Sequence, residues 1–156
     1  MSTVTARLAE LGIDIPDVAA PVAAYVPAVI HGDLVFTSGQ LPFISGALPA
    51  TGKVGEGHGL VPAADAKDYA RTAALNALAA VKSVLGSLDR VTRVVKVTGF
   101  VASAPEFTGQ PGVINGASEF LVEVFGDKGV HARSAVGVPV LPLDSAVEVE
   151  IVVEFE

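Results

Sequence analysis

The most regular pattern in this chain lies at its C-terminal end. From Ala146 to Phe155, the apolar series Val147, Val149, Ile151, Val153 and Phe155 alternates with Glu148, Glu150, Val152 and Glu154, and Glu156 continues the polar series. A repeat of two is that of a strand, whose successive side chains leave opposite faces. One face should therefore be apolar and the other rich in carboxylates. A different period governs the middle of the chain. Ala70, Ala74, Ala77, Val81 and Val84 recur at helical spacing, widened by Leu78 and Leu85. This predicts a helix that begins after Pro62, carries Asp65 and Asp68 in its first turns, and is ended by Gly86. Ile114, Ala117, Leu121, Val124 and Phe125 predict a second helix over about 113–125, closed by Gly126.

The remaining apolar runs are short. Tyr25 to Ile30 and Leu34 to Ser38 read as two strands joined by the turn signal His31-Gly32-Asp33. A third short strand is expected near Phe43, a fourth from Arg93 to Ser103, and a fifth from Ala132 to Val138. Ser45 to Pro62 is rich in Gly and Pro and predicts a long surface loop. Residues 1–24 form a lead-in, with a short amphipathic piece from Thr5 to Leu11 followed by Pro16 and Pro21. The order is three strands, helix, strand, helix, two strands, over residues 1–156 as a single domain. The expected fold is α+β, a mixed sheet of about six strands with two helices packed on one face.

Composition narrows the partners. Hydrophobic residues make up 51% of the chain and charged residues 17%, a low charge density that predicts surface buried in an oligomer. The net charge is −7, and the loose basic group Lys82, Arg90, Arg93 and Lys96 is interrupted by Asp89, so nucleic acid is not an expected partner. There is no apolar run of 18, and no membrane partner is expected. Met1 to Arg7 lacks the basic-then-apolar order of a signal peptide, and the chain has no Cys; the expected location is cytoplasmic.

Candidate chemistry is sparse. The run Gly52 to Gly59 does not have P-loop spacing: five residues separate Gly46 from Gly52, and Val54 follows Lys53. His31, His58 and His131 have no metal-site spacing, so no metal is expected; His31 serves a turn, His58 a solvated loop, and His131 borders an arginine motif. Nothing around Ser38-Gly39 resembles a nucleophile elbow. The stretch from Arg133 to Glu148 and Glu150 carries more. A guanidinium offers a planar fork suited to a carboxylate, which can belong to a glutamate of the last strand or to a ligand. Composition favours the structural ion pair; the ligand clamp stays open.

Several short motifs then form an ordered set: Thr37-Ser-Gly-Gln-Leu-Pro42, Asn115 early in the second helix, Ala132-Arg-Ser134, Leu141-Pro142 and Val147-Glu-Val-Glu150. In order and approximate spacing the chain resembles the RidA/YjgF family over about Tyr25 to Phe155, as a divergent branch with a longer 45–62 loop. The resemblance implies a chorismate-mutase-like fold assembled as a homotrimer with ligand clefts between subunits. It also implies cofactor-free hydrolysis of reactive 2-imino or 2-enamino acids to 2-keto acids and ammonia. On this resemblance Arg133 binds the substrate carboxylate and Glu148 positions the water, while Ser38, Gly39, Tyr25, Asn115 and Ala135 contact the substrate or line the cleft. Two departures change the cleft wall: Ala135 stands where the family often has Cys, and Ala23-Ala24 where it usually has Gly-Pro. Two other readings are a non-catalytic trimeric module that binds small carboxylates or a protein partner, and a ribonuclease, which the acidic charge disfavours.

Overall fold

The computed structural model describes residues 2–18, 20 and 23–156. Pro21 of the expected lead-in lies outside the described residues. The short amphipathic piece expected from Thr5 to Leu11 forms helix α1 (Val4–Glu10), capped by Thr3, whose side chain accepts from the Ala6 N–H. Strands β1 (Ala28–His31) and β2 (Leu34–Thr37) form a hairpin in which His31 pairs with Leu34. Its two-residue loop has Gly32 at φ 62° with Asp33 at negative φ, a turn whose twist matches the flanking strands.

Helix α2 (Ala63–Leu85) starts at Pro62 and ends at Gly86, which adopts φ 81° and donates its N–H to the Lys82 carbonyl. Its alanines at 66, 70, 73, 74 and 77 are fully buried. Alanine combines high helix propensity with a small side chain, so this face can lie close to its neighbours. The closest approach is to α3 (Gln110–Phe125): a Cβ at Gly116 would run into the Lys67 backbone carbonyl. Both helices cover one face of the sheet and enclose Leu78, Val81, Ile114, Phe120 and Leu121.

That sheet has five strands, in the order β1-β2-β5-β3-β4, with β3 (Val91–Ala102), β4 (Ala132–Val138) and β5 (Val147–Phe155). Only β3 and β4 run parallel, with α3 as their crossover. The alternation in β5 is realised: Val147, Val149, Ile151 and Val153 are buried under the helices, and Glu148, Glu150 and Glu154 face the other way.

The expected sixth strand near Phe43 does not form. The backbone there is satisfied by a helix side chain: Asn76 of α2 donates to the carbonyls of Leu41 and Phe43, at 2.9 and 3.1 Å. The 45–62 segment is a loop, but its middle is not on the surface. Val54 is fully buried; its N–H donates to Ala102 and its carbonyl accepts from Ala104, extending the end of β3. Gly52 donates to the Asp144 carbonyl at 2.8 Å, tying this loop to the turn before β5, where Leu143 and Asp144 both hold φ 58°. No helix of the described residues is long and apolar enough to cross a membrane.

Candidate active site

One group of predicted residues gathers where β2 ends. Beyond Thr37 the strand leaves its pairing with β5, and the buried Thr37 hydroxyl accepts the Ile151 N–H that this departure frees, at 3.0 Å. Gln40 then returns to exchange two backbone hydrogen bonds with Val149. Gly39 is thereby pressed against the neighbouring Glu148: a Cβ at position 39 would land on Glu148 Oε1. Ser38 uses its own groups for structure, donating its N–H to Pro27 and its hydroxyl to the Val26 carbonyl at 2.7 Å. It thus anchors the segment that presents Tyr25, which is half-exposed on the wall of a cavity of about 820 Å³. Gly39, Leu41, Phe43 and Leu143 line the same cavity, with Asn76 on its floor.

Glu148 is half-buried, and its carboxyl is pushed above the ordinary carboxylate range. Burial is the larger cause, and the charge of Glu150 two residues along the same face adds to it. A carboxylate raised in this way is a better proton acceptor near neutral pH. It faces away from the helices, in one row with Phe100 of β3 and Val136 of β4. The same face carries Val29, Phe36 and Val136, each at least 40% exposed, and no described element of the chain covers it.

The second group lies at the β4 edge, on the opposite face. Arg133 is in register with Val97 and, through it, with Ile151; both are core residues under the helices. The side chain accordingly turns towards α3, where its NH1 donates to Asn115 Oδ1 at 2.8 Å and to Ser118 Oγ at 3.3 Å. Ser118 also meets His131 Nε2 at 2.9 Å, and His131 Nδ1 bonds the Gly129 carbonyl. Ala135 lies two residues beyond Arg133 on the same side, in the row of Gly99, and packs against the core.

The ion pair that composition favoured is absent: the salt bridges among the described residues are Arg7–Glu10, Lys67–Glu119 and Arg71–Glu123. Strand parity is the reason. Arg133 and Glu148 lie in rows three residues apart and two strands apart, an odd offset that sends them to opposite faces. Their Cα atoms are about 14 Å apart by strand geometry. One chain therefore carries two separate groups of the predicted residues: Gly39 against Glu148, with Tyr25 in the cavity that Gly39 lines, and Arg133 with Asn115 and Ala135 on the other face.

Ser118 and His131 were not singled out as partners of Arg133 in the sequence, although the spacing contained the signal. Ser118 is three residues after Asn115 on a helix, and His131 two before Arg133 beside a strand, so each shares a face with a predicted residue.

Comparison with known proteins places these features in context. The family profile described as "YjgF/chorismate mutase-like, putative endoribonuclease" matches residues 5–155. Protein TCP17 of Trypanosoma cruzi is 44% identical over 152 residues, covering 97% of this chain and 93% of that protein. The crystal structure of Agrobacterium tumefaciens Atu1372, of unknown function, is 45% identical with a TM-score of 0.89, covering 98% of this chain and 92% of its own. E. coli TdcF, crystallised with bound serine, is 26% identical with a TM-score of 0.65, covering 89% of this chain and 94% of its own.

Proposed function

The chain belongs to the YjgF/chorismate mutase-like (RidA/YjgF) family, and on that premise we propose that it hydrolyses 2-imino or 2-enamino acids to 2-keto acids and ammonia. The reaction would take place in clefts where two subunits of a homotrimer bring Arg133 of one chain to Glu148 of the next. The observation that carries this reading is the state of Arg133. Its charge is held by the neutral groups Asn115 and Ser118 and pairs with no described carboxylate, so it is available to the anion of a ligand. The bound serine of TdcF carries a carboxylate of the same kind.

The separation of the two groups explains why assembly is needed. A chain on its own cannot bring the arginine and the glutamate to one small molecule, because the sheet lies between them. The uncovered face bearing Val29, Phe36 and Val136 supplies apolar area for a subunit contact beside Glu148.

In the assembled cleft the substrate carboxylate would sit on Arg133, with the Gly39 N–H as a second donor. Glu148 takes a proton from water as the oxygen attacks the C=N carbon, forming a C–O bond and a carbinolamine. Starting from the protonated imine, Glu148 returns that proton to nitrogen, the C–N bond breaks, and the hydroxyl proton passes to solvent as the carbonyl forms and ammonia leaves. A 2-enamino acid first takes a proton from solvent at its β-carbon to become this protonated imine. No redox step is involved, and the proposal needs no cofactor. A ribonuclease reading would require a basic groove, which a net charge of −7 opposes.

The test generates 2-imino acids in place with an amino-acid oxidase and follows their decay. Wild type should accelerate it, and Arg133→Ala and Glu148→Gln should each remove at least about 99% of that acceleration. If no member of a broad panel decays faster with wild type than without protein, the deaminase reading is wrong. Binding of a 2-keto acid that is lost in Arg133→Ala would then favour the carboxylate-binding module. Sedimentation should give a trimer; a stable monomer would count against both.

A further inference from the structure

We infer that Ser118 and His131 are positioning residues that lock the Arg133 guanidinium edge-on, so that this side chain grips one planar carboxylate through its Nε–H and NH2 edge and not through NH1. The inference rests on the reading of Arg133 as the carboxylate clamp. A guanidinium has five N–H groups, one on Nε and two on each terminal nitrogen. Both protons of NH1 are committed, one to Asn115 Oδ1 and one to Ser118 Oγ. No other hydrogen bond of this side chain occurs among the described residues, so the end of the fork that uses NH1 is closed to a ligand. The edge formed by Nε–H and NH2 is left, and its two parallel donors match the two oxygens of one carboxylate.

The direction of the Ser118 hydroxyl is what keeps NH1 committed, and His131 sets it. The Gly129 carbonyl can only accept, so His131 Nδ1 carries the proton in this bond. In the neutral ring Nε2 then has a lone pair, and it accepts the Ser118 hydroxyl proton at 2.9 Å. With its proton turned to histidine, the Ser118 oxygen presents lone pairs to Arg133 NH1. The order Gly129, His131, Ser118, Arg133 is a one-way chain of donors and acceptors from a backbone carbonyl to the guanidinium. Asn115, one helical turn before Ser118, holds the other NH1 proton from the same helix face. Neither Ser118 nor His131 is oriented to touch the ligand; both act through Arg133.

The test compares binding of pyruvate with that of its neutral amide, alongside KM and kcat for imine hydrolysis, in the full-length protein. Ser118→Ala and His131→Ala should weaken pyruvate binding about tenfold and leave amide binding unchanged, as expected for one lost hydrogen bond to a charged group. KM should rise by a similar factor with kcat within about twofold. Ser118→Thr keeps the hydroxyl, and His131→Gln keeps an acceptor near the Nε2 position; both should restore pyruvate binding and guard against variants that merely fold poorly. Equal losses for pyruvate and the amide, or no loss in either alanine variant while Arg133→Ala abolishes binding, overturn the inference and leave the deaminase reading intact. Wild-type-like pyruvate binding by Arg133→Ala overturns both.

Discussion

Gly39→Ala should separate the activity of this protein from its stability. The backbone at Gly39 is not in the positive-φ region that excludes side chains, so alanine is acceptable there conformationally. The obstacle is Glu148. An added Cβ lands on Oε1 and lies 2.8 Å from Cδ and 3.1 Å from Cγ. To bring Cδ back to an ordinary contact of about 3.4 Å, the carboxylate must withdraw by at least about 0.6 Å, and Oε1 by more. Because the obstructing atoms are the far end of a flexible side chain, the fold can yield cheaply, and losing a glycine from the unfolded chain returns about 0.4–1 kcal/mol. Net stability should therefore stay within about 1 kcal/mol of wild type, about 2–4 °C in Tm for a domain of this size. If Glu148 positions the water as proposed, a displacement near 1 Å can cost about 100-fold in rate. We expect kcat/KM for imine hydrolysis to fall by that order while the melting curve barely moves. Gly112→Ala is the control: a Cβ there meets nothing within 4 Å, and inside α3 it should leave activity unchanged and add up to about 1 kcal/mol of stability. Wild-type turnover by Gly39→Ala would refute the placement of Glu148 in the chemistry.

Four further predictions concern charge and packing. Glu150→Gln removes the second cause of the raised Glu148 carboxyl, so Glu148 should ionise at lower pH and the acid limb of the kcat/KM profile should move down in pH. A carboxyl raised in the folded state favours folding while protonated, and that contribution is lost as pH rises through its folded pKa. Glu148→Gln should accordingly be more resistant to urea than wild type at neutral pH, with the difference vanishing in acid below the ordinary carboxylate range. Gly116→Ala places a methyl against the Lys67 carbonyl at the crossing of α2 and α3, where backbone must move; the urea midpoint should report a loss of about 1–3 kcal/mol or more. Arg133→Lys keeps the charge but not the planar fork, and titration should show 2-keto acid binding weakened about tenfold or more.

Both helices, the two hairpin strands, and the strand ending at Val138 were legible in the sequence because period and punctuation are local properties. Gly32, Gly86 and Gly126 end elements through their own backbone conformations, which requires no knowledge of distant residues. The misread segments depend on distant partners. Phe43 has the composition of a strand, yet Asn76, more than thirty residues away, satisfies its carbonyl. Val54 sits in a loop by its Gly and Pro neighbours, yet it completes the end of β3 and enters the core.

For the site the division is similar. By itself the sequence determined which residue types stand where: a guanidinium at 133, carboxylates alternating along β5, a glycine at 39, and the ordered motifs that relate them to a known family. It could not determine how they meet, because a row of alternating residues has two faces, and strand order and register decide which face another strand's residue shares. Only the tertiary structure put Arg133 under α3 with Asn115, Ser118 and His131 and turned Glu148 to the opposite side against Gly39. The arginine and the glutamate are thereby separated by the sheet within one chain, because their rows differ by an odd number of residues.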